Sequence, residues 1–288
     1  MGNAWPVGPV MVTGATGTVG RSVVEQLLAA GRPVRTGVRN PATADLPPGV
    51  EVVRLDFTDR ATVAPALAGA EGLFLMRPPA ISDVGTALGP LVESAGAAGV
   101  SRVVALSVMG VNPAMPHWRM ERMVRKAGLD LTALRPAYFA QNFVTAFGAD
   151  IRRRSQLRLA CGNGRLSFVD TRDVAAVAAR VLAEPGRFDP GPVTLTGPEA
   201  LSFEDVASVL SDALGRRVVY VAQSLRKRRR ELRAEGLDPA LVRVQLVIDA
   251  TTRLGLAKKV TDDLPRILER PAGTLAQFVA DYRAAWIT

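Results

Sequence analysis

The sequence predicts an α/β protein that has a doubly wound parallel sheet and a smaller, mostly helical C-terminal lobe. Between Val10 and Leu134, short aliphatic runs alternate with helical patterns, which is typical of strand-helix-strand units whose strands are covered on both faces. The 288 residues are 48% hydrophobic but only 5% aromatic, so the core consists mainly of small aliphatic side chains. A chain of this length and composition buries a large core and is not predominantly disordered.

The first half of the chain is expected to supply six parallel strands. They are predicted at Val10–Thr13, Val34–Val38, Val52–Leu55, Leu73–Met76, Val103–Ser107 and Leu131–Leu134. Helices between them are predicted at Thr18–Ala30, Ala61–Leu67, Val84–Ala98 and His117–Lys126. In such a sheet, ligand sites are expected beyond the carboxyl ends of the strands.

After Pro136 the alternation changes. The segment Ile151–Arg165 is basic and rich in turn residues, and an amphipathic helix is predicted over Arg172–Ala183. Further elements are predicted in this part of the chain: strands at Val193–Thr196 and Val218–Val221, a helix at Phe203–Leu214, and mostly helix from there to the end. We therefore expect one domain over residues 1–150 and a capping lobe over residues 151–288, with part of 165–200 returning to the first domain. A substrate cleft is expected between the two.

The charge and the rare residues exclude several classes of protein. Lys and Arg number 36 against 27 Asp and Glu, a net charge of +9, and the basic runs Arg152–Arg154 and Arg226–Arg230 carry part of it. Neither run is interleaved with aromatics, so we predict a solvated, partly ion-paired cationic face and no nucleic-acid partner. The sole cysteine (Cys161) and the sole histidine (His117) allow neither a disulfide framework nor a His/Cys metal cluster, and predict a cytoplasmic protein.

The only uncharged run long enough to cross a bilayer is residues 1–20. It contains five glycines and two prolines, so it is better interpreted as a strand and a glycine loop than as a membrane helix. No membrane partner is expected.

The segment Val10–Gly20 has the order strand, tight glycine turn and helix start that a Rossmann dinucleotide site requires. Gly14 permits the turn, Gly17 lets the backbone approach a pyrophosphate, and Gly20 lets the helix pack closely on the strand. The helix amides then bind the phosphates. The residues predicted to contact the cofactor here are Thr13, Gly14, Thr16, Gly17, Thr18, Val19 and Gly20.

The end of the second strand predicts NADP(H) rather than NAD(H). A carboxylate there usually binds the ribose 2′-hydroxyl of NAD, whereas an arginine suits a 2′-phosphate. This chain has Arg39 and no acid between Glu25 and Asp45, and Arg39 can engage a phosphate bidentately. Asp56, after the third strand, is expected near the adenine, or else at the N-cap of the segment that starts at Thr58.

With these residues established, the sequence resembles the NmrA-like, atypical short-chain dehydrogenase/reductase group, and within it the NAD(P)H:quinone oxidoreductase members. The matching segments span nearly the whole chain: Thr13–Gly20, Leu55–Asp59, Met76–Pro79, Leu106–Ser107, Leu134–Pro136 with Phe139 and Asn142, Phe168–Asp170, Arg172–Ala175 and Leu195–Glu199.

The resemblance implies a six- or seven-stranded nucleotide-binding sheet with NADP(H) along its edge. It implies cofactor contacts on the ribose and nicotinamide side from Met76, Arg77, Pro78, Ser107, Val108, Pro136 and Tyr138. It also implies substrate contacts from Met109, Phe139 and Asn142. Trp118 and Phe143 are added as aromatic side chains suited to a flat substrate.

The chain departs from the wider family at the catalytic pair, a Tyr with a Lys four residues on, in which the Lys lowers the pKa of the phenol. None of the three tyrosines, Tyr138, Tyr220 and Tyr282, has Lys at that spacing. Hydride addition to a quinone gives a hydroquinone anion of modest basicity and needs little acid. His117, at an expected helix start, is the candidate proton donor or substrate-orienting group, with a structural histidine as the alternative; Ser107 is the second catalytic candidate.

These observations predict an NADPH-dependent reductase of quinones or polycyclic aromatic carbonyls that acts as a monomer or homodimer. A polyketide-tailoring variant, in which oxygen then hydroxylates the reduced quinone in a cofactor-assisted monooxygenase reaction, fits the same residues. The alternative from another class is a non-catalytic, NAD(P)-sensing NmrA-like regulator, supported by the missing Tyr/Lys pair. A third interpretation is an isomerase that borrows the fold.

Overall fold

The structure is a computed structural model that describes residues 8–78, 81 and 83–287. Pro79, in one of the matching segments, and residues 1–7 therefore lie outside the described residues. The central feature is a sheet of seven parallel strands in the order β10-β6-β5-β4-β1-β2-β3. Its strands are β1 (Val10–Thr13), β2 (Val34–Val38), β3 (Glu51–Arg54), β4 (Gly72–Met76), β5 (Arg102–Leu106), β6 (Leu131–Pro136) and β10 (Gly191–Leu195).

Helices on both faces cover this sheet, which confirms the doubly wound α/β prediction. They are α1 (Thr18–Ala29), α2 (Val63–Leu67), α3 (Val84–Ala97), α4 (Pro116–Lys126), α7 (Thr171–Ala183) and α11 (Asp263–Leu268). Local signals define their starts: the Asp83 carboxylate caps α3 by accepting from the Thr86 amide, and Pro116 occupies the first turn of α4.

The chain divides into two compact units. The first contains the described residues up to Pro136 together with 171–195 and 263–269; the second contains 137–170, 196–262 and the chain from Arg270 onward. The first unit thus ends earlier than the expected residue 150, and 263–269 is an additional segment that belongs to it. The predicted strand at Val193–Thr196 is β10, which pairs with β6 and adds a seventh strand to the sheet.

The second unit has its own small sheets and helices. Its strands are β7 (Tyr138–Phe139), β8 (Gln156–Leu159), β9 (Arg165–Val169), β11 (Ala200–Ser202) and β12 (Val219–Ala222), arranged as β11-β9-β7 and β12-β8. Its helices are α5 (Asn142–Thr145), α6 (Gly148–Arg154), α8 (Phe203–Leu214), α9 (Leu225–Ala234), α10 (Pro239–Arg253) and α12 (Leu275–Asp281).

Each unit has a separate hydrophobic core. In the first, Met11, Leu73, Leu75, Val103 and Ala105 project from one face of the sheet and are buried against α2, α3 and α4. In the second, Phe143, Phe168, Phe203 and Phe278 form an aromatic centre. Across the described part of the chain, no helix is both long and apolar enough to span a membrane.

Candidate active site

The glycine turn after β1 has the conformation that a dinucleotide site requires. Gly14 has a φ of +66°, which disfavours any side chain, and the Gly17 amide closes the turn by donating to the Gly14 carbonyl at 3.0 Å. A Cβ on Gly20 would lie 2.2 Å from the Gly14 carbonyl oxygen. Only glycine therefore allows α1 to begin this close to the turn.

The start of α1 leaves its first amides available. Gly17 is the N-cap residue and supplies no side-chain cap, and the first turn of α1 contains no acidic residue. Thr16 and Thr18 are exposed beside it, whereas Val19 and Gly20 are buried. An uncapped helix N-terminus with its partial positive charge is suited to phosphate oxygens.

Thr13 has a structural role instead of presenting its side chain to a ligand. Its hydroxyl is fully buried, donates to the Phe74 carbonyl at 3.1 Å and accepts from the Met76 amide at 2.8 Å. It thereby ties the end of β1 to the end of β4. The Met76 side chain packs over the glycine turn, since a Cβ built on Gly14 would meet the Met76 methyl at 2.0 Å. Met76 thus contacts the segment predicted to bind the pyrophosphate.

A cavity of about 390 Å³ opens at the end of β2, where the 2′-phosphate of NADP is expected. It is lined by Thr16, Val38, Arg39, Asn40, Thr43 and Ala44, and none of these six is acidic. The Arg39 side chain is exposed, and the Asn40 side chain caps the short 3₁₀ turn Pro41–Thr43 by accepting from the Ala42 amide. The lining therefore combines one cation with polar groups, as a phosphate site requires.

Asp56 is held in a local turn. One oxygen of its carboxylate accepts from the Thr58 amide at 2.9 Å and from the Thr58 hydroxyl at 2.7 Å. The amide hydrogen bond in particular lowers the pKa of Asp56, with a smaller contribution from the charge of Arg39. The helical turn that follows begins with Asp59 as its cap, so Asp56 is not that N-cap.

Two further arginines on or after the strands of the central sheet, Arg35 and Arg77, have structural partners. Arg35 pairs with Glu51 at 2.8 Å and donates to the Ala68 carbonyl at 2.6 Å. Arg77 donates to the carbonyls of Pro78 and Ile81, at 3.0 and 2.6 Å. Arg39 is consequently the cation at the predicted phosphate site whose side chain faces the cavity.

The carboxyl ends of β5 and β6 meet at a buried carboxylate, Glu121 of α4. Its side chain is fully inaccessible, and each of its oxygens accepts two hydrogen bonds. Ser107 Oγ donates to Oε1 at 2.6 Å and Arg135 Nε at 3.0 Å; Arg135 Nη2 donates to Oε2 at 2.6 Å and Arg125 Nη2 at 2.7 Å. Burial alone would raise the pKa of Glu121, but the hydrogen bonds from Arg135, Ser107 and Arg125 outweigh it and lower that pKa.

The segment after β5 runs beside the end of β6. The Ser107 amide donates to the Leu134 carbonyl at 2.7 Å, and the Met109 amide donates to the Pro136 carbonyl at 2.9 Å. Val108 and Met109 are half-buried, and Pro136 is buried. These backbone bonds fix the residues that the family resemblance places around the nicotinamide.

His117 lies in the first turn of α4, half-buried and one helical turn before Glu121. Burial, and then the positive charge of Arg77, lower the pKa of His117 to about 4, against a smaller opposing effect of Glu121. The imidazole is therefore neutral near pH 7. Trp118, its neighbour, is half-buried, and the guanidinium of Arg122 lies 5.2 Å from its ring centroid.

In the second unit, two residues predicted to contact a ligand pack against the aromatic core: Phe143 is buried and Tyr138 is half-buried. Phe143 is fully buried against Phe147, Phe168 and Phe203, so its ring serves the core and not a substrate surface. The Tyr138 ring packs edge-on against Phe168. Burial, and then the charge of Asp249, raise the pKa of its phenol, which forms a hydrogen bond with Gln245.

Phe139 and Asn142 are half-buried in the same unit. Phe139 pairs with Val169 through β7 and β9, and Asn142 is the first residue of α5. Both remain predicted substrate contacts.

Cys161 is buried beside the carboxylate of Asp249, to which its thiol donates at 3.6 Å. Burial, and then the charge of Asp249, raise the pKa of this thiol. Arg228, from the basic run of α9, is also buried, with its Nε 3.9 Å from Asp249. The solvated, partly ion-paired face predicted for this run therefore does not include Arg228, whose side chain is buried. No group of three or more His, Cys, Asp or Glu side chains is arranged to bind a metal within the described residues.

Glu121 is the residue at this site that the sequence interpretation missed. Its signal was its place four residues after His117 on one face of a helix, in a segment otherwise rich in cations. That spacing predicts proximity to His117 but not burial, because the partners Ser107 and Arg135 come from separate strands.

The chain is similar over nearly its full length to several reductases. A family model described as the NmrA-like family matches residues 8–265. The chain is 32% identical over 285 residues to an NAD(P)H azoreductase of Xenophilus azovorans, covering 96% of this chain and 99% of that protein. It is 27% identical to quinone oxidoreductase 2 of Escherichia coli (strain K12), covering 94% and 97%.

Two solved structures share the fold. An NADPH-dependent quinone oxidoreductase of Escherichia coli, complexed with NADPH, superposes with a TM-score of 0.84 at 26% identity, covering 95% of this chain and 99% of that one. A triphenylmethane reductase of Citrobacter sp., complexed with NADP(H), superposes with a TM-score of 0.82 at 25% identity and the same coverage.

Proposed function

Because this chain belongs to the NmrA-like family, we propose that it is an NADP(H)-dependent reductase that transfers hydride to a quinone or a related flat, conjugated acceptor. The observation that carries the proposal is the first unit's glycine turn with the Arg39 cavity beside it. The relatives that cover nearly the whole chain include a quinone oxidoreductase and an azoreductase, and both names describe acceptors of this kind.

The cofactor is NADP(H), and the residues present fit it. The turn at Gly14 and the uncapped start of α1 suit a pyrophosphate, and Arg39, Thr16 and Asn40 suit a 2′-phosphate. When bound, NADPH supplies a hydride from its nicotinamide ring. The chain's own task is to bind and orient the reactants.

The quinone assignment is supported by the two catalytic candidates, His117 and Ser107, neither of which is a ready proton donor at neutral pH. The pKa of His117 is about 4, so the fraction carrying a proton near pH 7 is very small. The Ser107 hydroxyl already donates a hydrogen bond to ionised Glu121. Reduction of a simple ketone produces a strongly basic alkoxide and requires a general acid. Reduction of a quinone produces a hydroquinone anion that solvent can protonate, which matches what these residues can do.

Within this class we favour polycyclic quinones as substrates, as in polyketide tailoring. A hydroquinone can react with O2 without flavin or metal: one oxygen atom becomes a hydroxyl group on the re-formed quinone, and the other leaves as water. Oxygen uptake measured alongside NADPH oxidation tests this extension: stoichiometric uptake with a hydroxylated product supports it. Quinone reduction with no oxygenated product contradicts the extension and leaves the reductase proposal intact.

Stopped-flow oxidation of NADPH at 340 nm, with a panel of benzoquinones, naphthoquinones, polycyclic quinones and an azo dye, tests the main proposal. We expect turnover with at least one quinone, and faster turnover with NADPH than with NADH. Tight NADPH binding with no oxidation by any acceptor would contradict a reductase and favour a dinucleotide-sensing regulator. Substrate conversion without net NADPH consumption would favour an isomerase.

A further inference from the structure

Glu121 determines what Ser107 can offer to a ligand. An ionised carboxylate can only accept hydrogen bonds, and the 2.6 Å contact with Ser107 Oγ therefore uses the hydroxyl proton. The lowered pKa of Glu121 keeps the carboxylate ionised at neutral pH. Ser107 is left with lone pairs only, so toward any further partner it is a hydrogen-bond acceptor.

The arrangement is held from several sides. Both nitrogens of the Arg135 fork bind Glu121, and Arg125 binds the oxygen that Ser107 does not contact. The Ser107 backbone is fixed by its amide bond to Leu134. Rotation of Ser107 away from Glu121 would leave a buried charge with one donor fewer, which is costly in a low-dielectric interior. The fold therefore keeps the Ser107 hydroxyl donating to Glu121, so that its oxygen can only accept a hydrogen bond from a ligand.

We propose that Glu121 is a positioning residue that makes Ser107 an acceptor for the carboxamide N–H₂ of the nicotinamide, and thereby makes the site select a carboxamide over a carboxylate at that ring position. This inference rests on the proposed function, because a doubly wound sheet binds a dinucleotide across the carboxyl ends of its strands, with one half on each side of the switch point. The proposed 2′-phosphate cavity lies at the end of β2, so the nicotinamide half is expected on the side of β5 and β6. A carboxylate has no N–H to donate, so it would face the lone pairs of Ser107 without a hydrogen bond. Binding of the carboxylate analogue is therefore weaker, because it leaves the Ser107 oxygen without a hydrogen-bond partner.

Equilibrium binding of two ligands tests the proposal without any turnover. The probes are NADP⁺ and its nicotinic-acid counterpart, in which a carboxylate replaces the carboxamide. For the wild-type protein we expect NADP⁺ to bind at least roughly tenfold more tightly, the factor expected for a lost hydrogen bond with an unpaired buried acceptor. For Ser107→Ala, the ratio of the two dissociation constants should fall toward one.

Glu121→Gln tests the polarity itself. The amide of glutamine can donate to Ser107, which frees the serine hydroxyl to donate to the ligand. In this variant we expect the preference for NADP⁺ over the nicotinic-acid analogue to disappear, or to change to a preference for the analogue. The double variant with Ser107→Ala should show the same ratio as Ser107→Ala alone, because both substitutions act through one hydroxyl.

Arg125→Met is the matched control. It removes a partner of Glu121 but leaves the bond to Ser107, so its melting temperature should fall while the ligand ratio stays at the wild-type value.

An unchanged ratio in Ser107→Ala would overturn the proposal, even if Glu121→Gln did not fold. If the negative charge of Glu121 repelled the carboxylate probe directly, and Ser107 took no part, the ratio in Ser107→Ala would also be unchanged. Wild-type protein that bound neither probe would contradict the proposed function itself, whereas quinone turnover with no ligand preference would contradict only this inference.

Discussion

Two residues that the sequence favours for catalysis, His117 and Ser107, are both held in states that disfavour proton donation. His117 is half-buried near the cation of Arg77, and both effects favour the neutral imidazole. The hydroxyl hydrogen of Ser107 is engaged in a hydrogen bond to Glu121. At the scale of single residues, the environment therefore decides the chemistry, and residue type alone does not.

Substitution of His117 by Gln should have a small effect on hydride transfer. Because the pKa of His117 is about 4, the imidazole is neutral throughout pH 5.5 to 8 and protonates only at more acidic pH. The quinone kcat/KM of the wild type should show no ionisation near 6.5 in this range. The loss in His117→Gln should stay well below the ~100-fold expected when a general acid is removed.

The pH profiles of wild type and variant, measured with one quinone at subsaturating concentration, check this prediction. A fall in wild-type activity above pH 6 to 7 that disappears in His117→Gln would show instead that the imidazolium delivers the proton.

Arg39 should determine cofactor preference. Replacement of Arg39 by Gln removes a charge-assisted contact with the 2′-phosphate, so the dissociation constant of NADPH should rise by roughly 10- to 100-fold. That of NADH should change little. Arg60→Gln is the control, since Arg60 is exposed and is not among the residues that line the cavity. Fluorescence titration of both nucleotides with both variants makes the measurement. Equal weakening of NADPH and NADH would show that Arg39 does not contact the phosphate.

At the scale of elements, the junction of β1 and α1 depends on close packing that only glycine permits. Gly20→Ala should destabilise the first unit and weaken NADPH binding, because the added Cβ would lie 2.2 Å from the Gly14 carbonyl oxygen. Gly89→Ala is the matched control within α3, where nothing lies within 4 Å of an added Cβ. This control should be neutral or stabilising by up to about 1 kcal/mol, from the higher helix propensity of alanine.

Thermal unfolding with and without NADPH separates the two glycine variants. Gly20→Ala should lose both melting temperature and the upward shift that NADPH produces, while Gly89→Ala keeps that shift. A normal NADPH shift in Gly20→Ala would mean that the helix start can move away from the turn without harm to the site.

Element boundaries follow well from the sequence where the pattern is local. β1, β2 and α8 have the predicted limits, because aliphatic runs and turn residues mark both of their ends. The place of β10 follows only in part, since the sequence predicted that some of 165–200 returns to the first unit but not which strand would pair there. Its short run resembles any strand of the second half, and only its pairing with β6 shows that it completes the central sheet.

At the scale of the whole molecule, the basic excess is unevenly distributed. The second unit has 19 Lys and Arg against 12 Asp and Glu, a net charge of +7, and the first has 17 against 15, a net charge of +2. The surplus is therefore concentrated outside the unit that carries the glycine turn and Arg39. Part of it is neutralised internally: Arg158 pairs with Asp150 and Glu231, and Arg228 with Asp249.

Such a surface should bind polyanions only through general electrostatics. We expect weak, sequence-independent binding of duplex DNA at low ionic strength that disappears by about 0.2 M salt, since counterion release governs such binding. Fluorescence anisotropy with two unrelated duplexes across a salt series checks this. Sequence-dependent binding that persisted at that salt concentration would contradict the prediction of no nucleic-acid partner.

The parts of the candidate site that could be predicted lie within continuous segments. The glycine turn and Arg39 follow from spacing, because strand, turn and helix are neighbours in the chain. The side chains of Thr13 and Arg77 donate hydrogen bonds to carbonyl groups of the protein, and the sequence did not predict these partners. Sequence shows where such a side chain begins, and its partner depends on how neighbouring segments pack.

The sequence by itself determined the α/β class, the dinucleotide turn and the preference for NADP(H), because these depend on local periodicity, on backbone freedom at Gly14 and on one charge at the end of β2. Only the tertiary structure showed that Glu121 binds Ser107 and Arg135, that the imidazole of His117 is neutral, and that Phe143 and Arg228 are buried. Each of these depends on burial or on a hydrogen-bond partner from another segment. Both are properties of the folded chain, because a pKa or a polarity is set by the groups that packing brings together.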